Sequence, residues 1–183
     1  MTFSINFWDK CWNLIKNLDI DNKSRWLQFQ IVRYILPTNY TVNKYNPHQD
    51  PNCSFCPVGL HLEKIPYLFW ECPKVMQLWW SVENFLQIFY PTFRISKKKA
   101  IFGDTEANNE INTILMWTKT HLWSQKFTSK RVDFVSFMSF IKQKLKLLMM
   151  VAQKKVNLYN FLGRWGKIVE FLGIEILPNF TVQ

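Results

Sequence analysis

Apolar residues recur every three or four positions along most of this sequence, which is the spacing of one face of an α-helix. Pro37 and Pro91 can end two of the predicted helices, and Gly173 follows the last one. The helices predicted from this spacing cover about 5–19, 22–36, 75–89, 109–125, 131–155 and 157–172. The clearest pattern, expected at the centre of the core, is Val75, Leu78, Trp79, Val82, Phe85, Leu86 and Phe89.

No alternation of apolar and polar residues is long enough to indicate a strand, so the sequence predicts an all-α fold. We expect a single domain of five to six helices over 1–177, followed by a flexible tail over 178–183. Within this domain, 51–72 should form a compact irregular loop, and 91–105 should form a connection between helices.

The composition limits the class of protein. Hydrophobic residues make up 48% of the chain and aromatic residues 17%, which argues against disorder. Asp9 and Lys10 interrupt the start before an apolar signal segment could develop, and the apolar run from Leu147 to Ala152 is too short to span a bilayer. We therefore expect a soluble intracellular protein, with nucleus and cytoplasm both open.

The charge of the chain favours an anionic partner. It has 23 Lys and Arg against 13 Asp and Glu, a formal net charge of +10, which favours nucleic acid ahead of a membrane. The alternative is that the lysines only keep an aromatic-rich surface soluble. If RNA binds, we expect phosphate contacts from the 91–105 connection and the 131–155 helix, through Lys97, Lys98, Lys99, Lys142, Lys144, Lys146, Lys154 and Lys155.

The cysteines suggest a metal site. Cys53 and Cys56 are separated by two residues, so one tight turn can present both thiolates to one tetrahedral ion. A third candidate ligand, Cys72, precedes Pro73, and proline favours the first position of a helix. Cys11 instead belongs to the apolar stripe of the first helix and is interpreted as a buried core thiol.

These residues resemble those of a known family. Cys53-Ser54-Phe55-Cys56 is followed by Leu68-Phe69-Trp70-Glu71-Cys72-Pro73-Lys74-Val75 and two tryptophans. This pattern resembles the zinc-binding domain downstream of the polymerase in LINE-type (non-LTR) retrotransposon reverse transcriptases. The resemblance covers about 24–172 and includes the segments 26–30, 34–39, 100–103 and 160–165.

The resemblance implies zinc bound by a Cys-Cys-His-Cys quartet, but Tyr67 occupies the position of the family's histidine. Cys53, Cys56 and Cys72 are then the expected ligands, and His61 is the candidate for the fourth position. His48 is a second candidate for that position. A rewired site, a three-coordinate site and a lost site all remain open.

The resemblance also implies a function in nucleic-acid binding without catalysis. No Asp-Asp pair of a polymerase and no glycine-rich phosphate-binding motif occurs in the sequence. We therefore expect a non-enzymatic RNA-binding tail, either a stand-alone fragment or a remnant of a retrotransposon polyprotein, with a polymerase domain as a further possible partner. The alternative is a helical structural or protein-interaction domain whose metal site has decayed.

Overall fold

The computed structural model describes residues 5–56, 61–128 and 131–175, and every regular element in these ranges is helical. The predicted all-α fold is therefore confirmed. The predicted tail over 178–183 lies outside the described residues. The α-helices are α1 (Ile5–Asn17), α2 (Asn22–Val32), α3 (Asn39–Asn43), α4 (Pro73–Gln87), α5 (Lys97–Phe102), α6 (Asn109–Phe127), α7 (Phe134–Lys154) and α8 (Leu158–Phe171), and a π-helical turn covers Tyr67–Glu71.

The chain divides into two compact units, Met1–Phe134 and Val135–Gln183. The first unit holds α1 to α6 and the loop of the three cysteines. The second consists of α8 and all of α7 after its first residue. A single domain was expected from the sequence. The division into two compact units does not test that expectation, which stays a prediction.

Helix α2 ends four residues earlier than the sequence predicts. The prediction placed its end at Leu36, before Pro37, whereas the helix stops at Val32. Tyr34 has a φ of 57°, and the amides of Tyr34 and Ile35 donate to carbonyls of the last helical turn. This is a Schellman end, in which the left-handed position is filled by a tyrosine instead of the usual glycine.

Helix α6 is the most enclosed element, because every residue from Glu110 to Leu122 is buried. Helix α4, which was expected at the centre of the core, buries its predicted stripe from Val75 to Leu86 but exposes the opposite face. The even burial of α6 explains why its sequence looks only weakly amphipathic.

A buried hydrogen-bond junction connects α2, α5 and α6 at the carbonyl oxygen of Ile101. The Nζ of Lys119 donates to this oxygen over 2.9 Å, and the Nε2 of Gln28 donates to it over 3.0 Å. Burial lowers the pKa of the Lys119 amine to about 7. Lys119 thus shares one carbonyl acceptor with Gln28 in an enclosed site where its charged form is disfavoured.

Helix α5 lies within the segment that was expected to be a connection. Ser96 caps it by accepting a hydrogen bond from the amide of Lys99, and Gly103 follows its end with a φ of 89°. A side chain at Gly103 would come within 2.6 Å of Leu14, so glycine is required there. The six residues of α5 are too few to show an apolar period, which is why the sequence pattern missed the helix.

In the second unit, α7 buries Phe137, Ile141, Leu145 and Met149, which are spaced by four residues along one face of the helix. Helix α8 ends at Phe171, and Gly173, the predicted stop, follows its cap with a φ of 58°. In the described part of the chain, no helix has the length and apolarity that a membrane span requires.

Candidate metal centre

The loop that carries the first two cysteines is closed by a short antiparallel bridge between Asn52 and Leu62. The amide of Cys53 donates to the carbonyl of His61 over 2.9 Å, and the amide of Glu63 donates to the carbonyl of Pro51 over the same distance. This bridge holds the two ends of the loop together, so Cys53 and Cys56 sit on a turn with a fixed base.

The third cysteine is positioned by the π-helical turn. The amide of Cys72 donates to the carbonyl of Tyr67, five residues earlier, over 3.0 Å, and Pro73 then begins α4. The Nε1 of Trp79 donates to the carbonyl of Phe69 over 2.7 Å and ties the turn to α4. The extra residue of a π-turn changes the direction of the side chains that follow it, and such turns are frequent at functional sites.

The structure brings the three cysteines together. The Sγ atoms of Cys53, Cys56 and Cys72 all lie within 4.8 Å of one another, and those of Cys56 and Cys72 are 3.5 Å apart. A tetrahedral zinc ion with zinc–sulfur bonds of about 2.3 Å would hold its sulfurs about 3.8 Å apart. The observed separations therefore fit the binding of a metal ion by all three sulfurs.

The environment of the sulfurs favours one thiolate in the cluster. The pKa of Cys72 is lowered, chiefly by a hydrogen bond from the Cys53 thiol and further by the backbone amides of Val75 and Lys74. The pKa of Cys53 is raised, because it donates this hydrogen bond and is buried. Backbone amides at the start of a helix stabilise negative charge, so the N-terminus of α4 stabilises a thiolate at Cys72.

Tyr67 lies against the cluster at the position where the resemblance implies histidine. Its hydroxyl oxygen is 3.4 Å from the Sγ of Cys56. Burial, together with this hydrogen bond to Cys56, raises the pKa of the Tyr67 phenol. The phenol therefore stays protonated at neutral pH, and its hydroxyl shares a hydrogen bond with the sulfur of Cys56.

Neither candidate histidine belongs to the group of sulfurs formed by the described residues. The ring of His61 stacks on the ring of Tyr67, with centroids 4.9 Å apart and an interplanar angle of 27°. His48 is exposed at the end of the preceding turn. The site that the structure supports is thus a three-cysteine site with a tyrosine beside it, and His61 stays a prediction as its fourth ligand.

Glu63 was not among the residues predicted for the site, but its carboxylate fixes the cysteine turn. This fully buried group accepts hydrogen bonds from the amide of Ser54 over 2.9 Å, from the hydroxyl of Ser54 over 2.8 Å and from the amide of Asn39 over 3.0 Å. It also forms a buried ion pair with Lys126 of α6. One acidic residue between Leu62 and Ile65 was the only sequence signal for this role.

The first group of predicted phosphate-binding lysines lies beside the cysteine cluster, on α5. Lys97 forms an ion pair of 2.5 Å with Glu71, the residue before Cys72, and Lys99 forms one of 2.8 Å with Asp104. Lys98 is exposed and lies over the ring of a phenylalanine in α1. Two of these three lysines therefore have carboxylate partners that a phosphate would have to replace.

The second group of predicted lysines belongs to the second unit. Lys146, Lys154 and Lys155 are exposed, and Lys142 and Lys144 are half-buried. Their exposure is compatible with phosphate binding and equally with a solvated helix face.

The fold and the site together define a helical protein with a candidate three-cysteine metal centre. No family model, curated protein or solved structure matches the chain. The likeness to LINE-type zinc-binding domains accordingly rests on the residues quoted above.

Proposed function

We propose that this chain is a non-catalytic RNA-binding module organised by a zinc ion that Cys53, Cys56 and Cys72 hold. The observation that carries the proposal is the convergence of the three sulfurs directly beside a lysine-rich helix. The resemblance to the zinc-binding tail of LINE-type reverse transcriptases and the net charge of +10 support it.

The donor set favours zinc over magnesium or calcium, because thiolates are soft ligands and those two ions prefer oxygen. Zinc bound here would cross-link the Cys53–Cys56 turn to the start of α4 and so contribute to folding. Three thiolates would leave one position open, and the hydroxyl of Tyr67, 3.4 Å from the Sγ of Cys56, can hydrogen-bond a thiolate ligand.

Changing Tyr67 to histidine should restore the family's quartet and tighten zinc binding by about tenfold or more, because the imidazole adds a ligand. Tyr67→Phe is the matched control, since it removes the hydroxyl without supplying a nitrogen. Zinc affinity is measured by competition with a chromophoric chelator. If Y67H binds zinc no more tightly than Y67F, Tyr67 does not occupy the ligand position.

RNA binding should weaken steeply with salt, and the triple variant Lys97→Ala, Lys98→Ala and Lys99→Ala should flatten that dependence. Each lost phosphate contact on a single strand reduces the slope of log affinity against log salt by about 0.7. The ion pairs of Lys97 and Lys99 are partly exposed and therefore weak, so phosphate can replace the carboxylates.

The matched control for this experiment removes three other exposed lysines, Lys10, Lys23 and Lys44, and so the same net charge. Binding of a fluorescent single-stranded RNA is followed by anisotropy at two salt concentrations. Equal slopes for the two triple variants would remove α5 from the RNA site. No binding by the natural protein at low salt would contradict the proposed function.

A second candidate function is a helical protein-interaction domain. The observation that favours it is an exposed apolar stripe on α7, formed by Leu147, Met150 and Val151. Such a stripe is typical of a surface that packs against another protein. The RNA experiment separates the two functions, because this candidate predicts no binding beyond that of any basic protein.

A further inference from the structure

A groove with aromatic walls runs between α1 and α2 in the first unit, and neither the metal centre nor the predicted lysine groups account for it. It has a volume of about 500 Å³, within the usual range for small-ligand sites. Residues of α1, residues of α2 and one residue just beyond α2 line it: Trp12, Ile15, Lys16, Asn22, Arg25, Trp26, Phe29 and Arg33.

The aromatic rings of this groove form a layered wall. Trp26 stacks on Phe29 with centroids 5.1 Å apart and an interplanar angle of 10°, and Trp12 meets Phe29 with centroids 5.5 Å apart. Trp26 is 58% exposed even though Phe29 is stacked on it. A flat ring so exposed offers a surface on which another planar group can stack.

Every ionisable side chain that lines the groove is cationic. The guanidinium of Arg25 donates to the carbonyls of Ile15, Lys16 and Leu18 and so caps the C-terminal end of α1. Lys16 and Arg33 are exposed and form no ion pair within the described ranges. The groove is therefore apolar in its walls and positively charged along its rim.

A second cavity of about 380 Å³ continues along the same pair of helices and is lined by Trp8, Trp12, Val32 and Arg33. Trp12 and Arg33 line both cavities. Successive aromatic sites with a shared cation have the layout of a surface that follows a strand of stacked bases and phosphates.

We propose that this groove binds unpaired bases of single-stranded RNA, with a base stacked on Trp26 and the adjoining phosphates bound by Lys16 and Arg33. The inference rests on the proposed RNA-binding function and adds the site that receives the bases. Unpaired bases are the expected occupant because bases within a duplex are already stacked and cannot reach a protein ring.

Charge complementarity argues for RNA over a neutral protein surface. Three cations around aromatic planes match an anionic backbone that carries planar rings, whereas an apolar helix would leave Lys16 and Arg33 without a partner. An acidic peptide shares the charge but not the stacking, so it is the competing outcome that the experiment must distinguish.

The test compares Trp26→Ala, Trp26→Phe and Arg33→Gln with the matched control Trp80→Ala, which removes a tryptophan that is 66% exposed on α4, outside the groove. The probes are a fluorescent oligoadenylate, the same strand paired in a duplex, and a fluorescent oligoglutamate peptide. Circular dichroism verifies that each variant is folded, and Trp26→Phe keeps a ring should Trp26→Ala fail to fold.

Trp26→Ala should weaken binding of the single strand by about 5- to 150-fold with its salt slope unchanged, because stacking is not a charge interaction. Trp26→Phe should recover most of the affinity, and Arg33→Gln should lower the salt slope by about 0.7. Trp80→Ala and duplex binding should show no such loss.

If Trp26→Ala and Trp80→Ala bind the single strand with equal affinity, the groove does not bind the bases. The proposed RNA-binding function then still stands. Equal losses for the single strand and the duplex would exclude base stacking. If Trp26→Ala loses oligoglutamate binding but keeps RNA binding, the groove is a peptide site and the inference is wrong. If neither the natural protein nor any of its variants binds RNA, both the groove inference and the proposed function are wrong.

Discussion

Replacing Glu63 with glutamine should lower the free energy of unfolding by about 3–5 kcal/mol, the usual cost of breaking a buried ion pair on one side. The carboxylate is fully buried and accepts hydrogen bonds from Asn39, from Ser54 and from the ammonium of Lys126. A glutamine amide has only one oxygen for these donors and leaves the Lys126 charge without a counter-charge.

The matched control is Glu71→Gln, which breaks the ion pair with Lys97 at the surface and should cost less than about 1 kcal/mol. Urea unfolding is measured with a chelator present, so that loss of metal does not contribute to the difference. The double variant Glu63→Gln with Lys126→Met should recover part of the stability, because no unpaired charge remains. Equal costs for Glu63→Gln and Glu71→Gln would mean that the buried pair does not hold the cysteine turn.

Replacing Cys72 with serine should weaken zinc binding by more than about 100-fold, since loss of an outer-shell partner alone can cost 10- to 100-fold. Cys72 joins α4 to the turn of Cys53 and Cys56, and its Sγ is 3.5 Å from that of Cys56. Removing it leaves two sulfurs, which cannot complete a structural site.

Cys11→Ser is the matched control for this loss. Cys11 is also buried, but it belongs to α1 and lies outside the group of three sulfurs, and burial raises the pKa of its thiol to about 11. Its replacement should leave zinc affinity unchanged. Affinity is followed by the thiolate-to-metal charge-transfer absorption of the cobalt-substituted protein, and equal absorption in the two variants would contradict a role for Cys72.

Features that depend on neighbours in sequence could be predicted from the residues alone. The apolar period indicated α1, α4, α7 and α8, because burying one face of a helix leaves a local pattern. The cysteine cluster was also indicated by local signals. The spacing of Cys53 and Cys56 predicts a turn, and the proline after Cys72 predicts a helix start.

Features that depend on distant neighbours could not be predicted. The Lys126 partner of Glu63 is 63 residues away, and nothing in either segment signals that their charges meet in the interior. The groove likewise required the packing of α1 on α2, which places Trp12 beside Phe29. The early end of α2 escaped prediction because Tyr34 adopts a conformation that its side chain does not favour.

The most direct test of the metal centre is elemental analysis of the natural protein after purification, with zinc supplied during expression and excess metal then removed. We expect one zinc ion per chain, the same content in Cys11→Ser, and none in the variant that replaces Cys53, Cys56 and Cys72 with serine. A natural protein that is metal-free and folded, or a triple variant that keeps its zinc, would contradict zinc binding by these three cysteines.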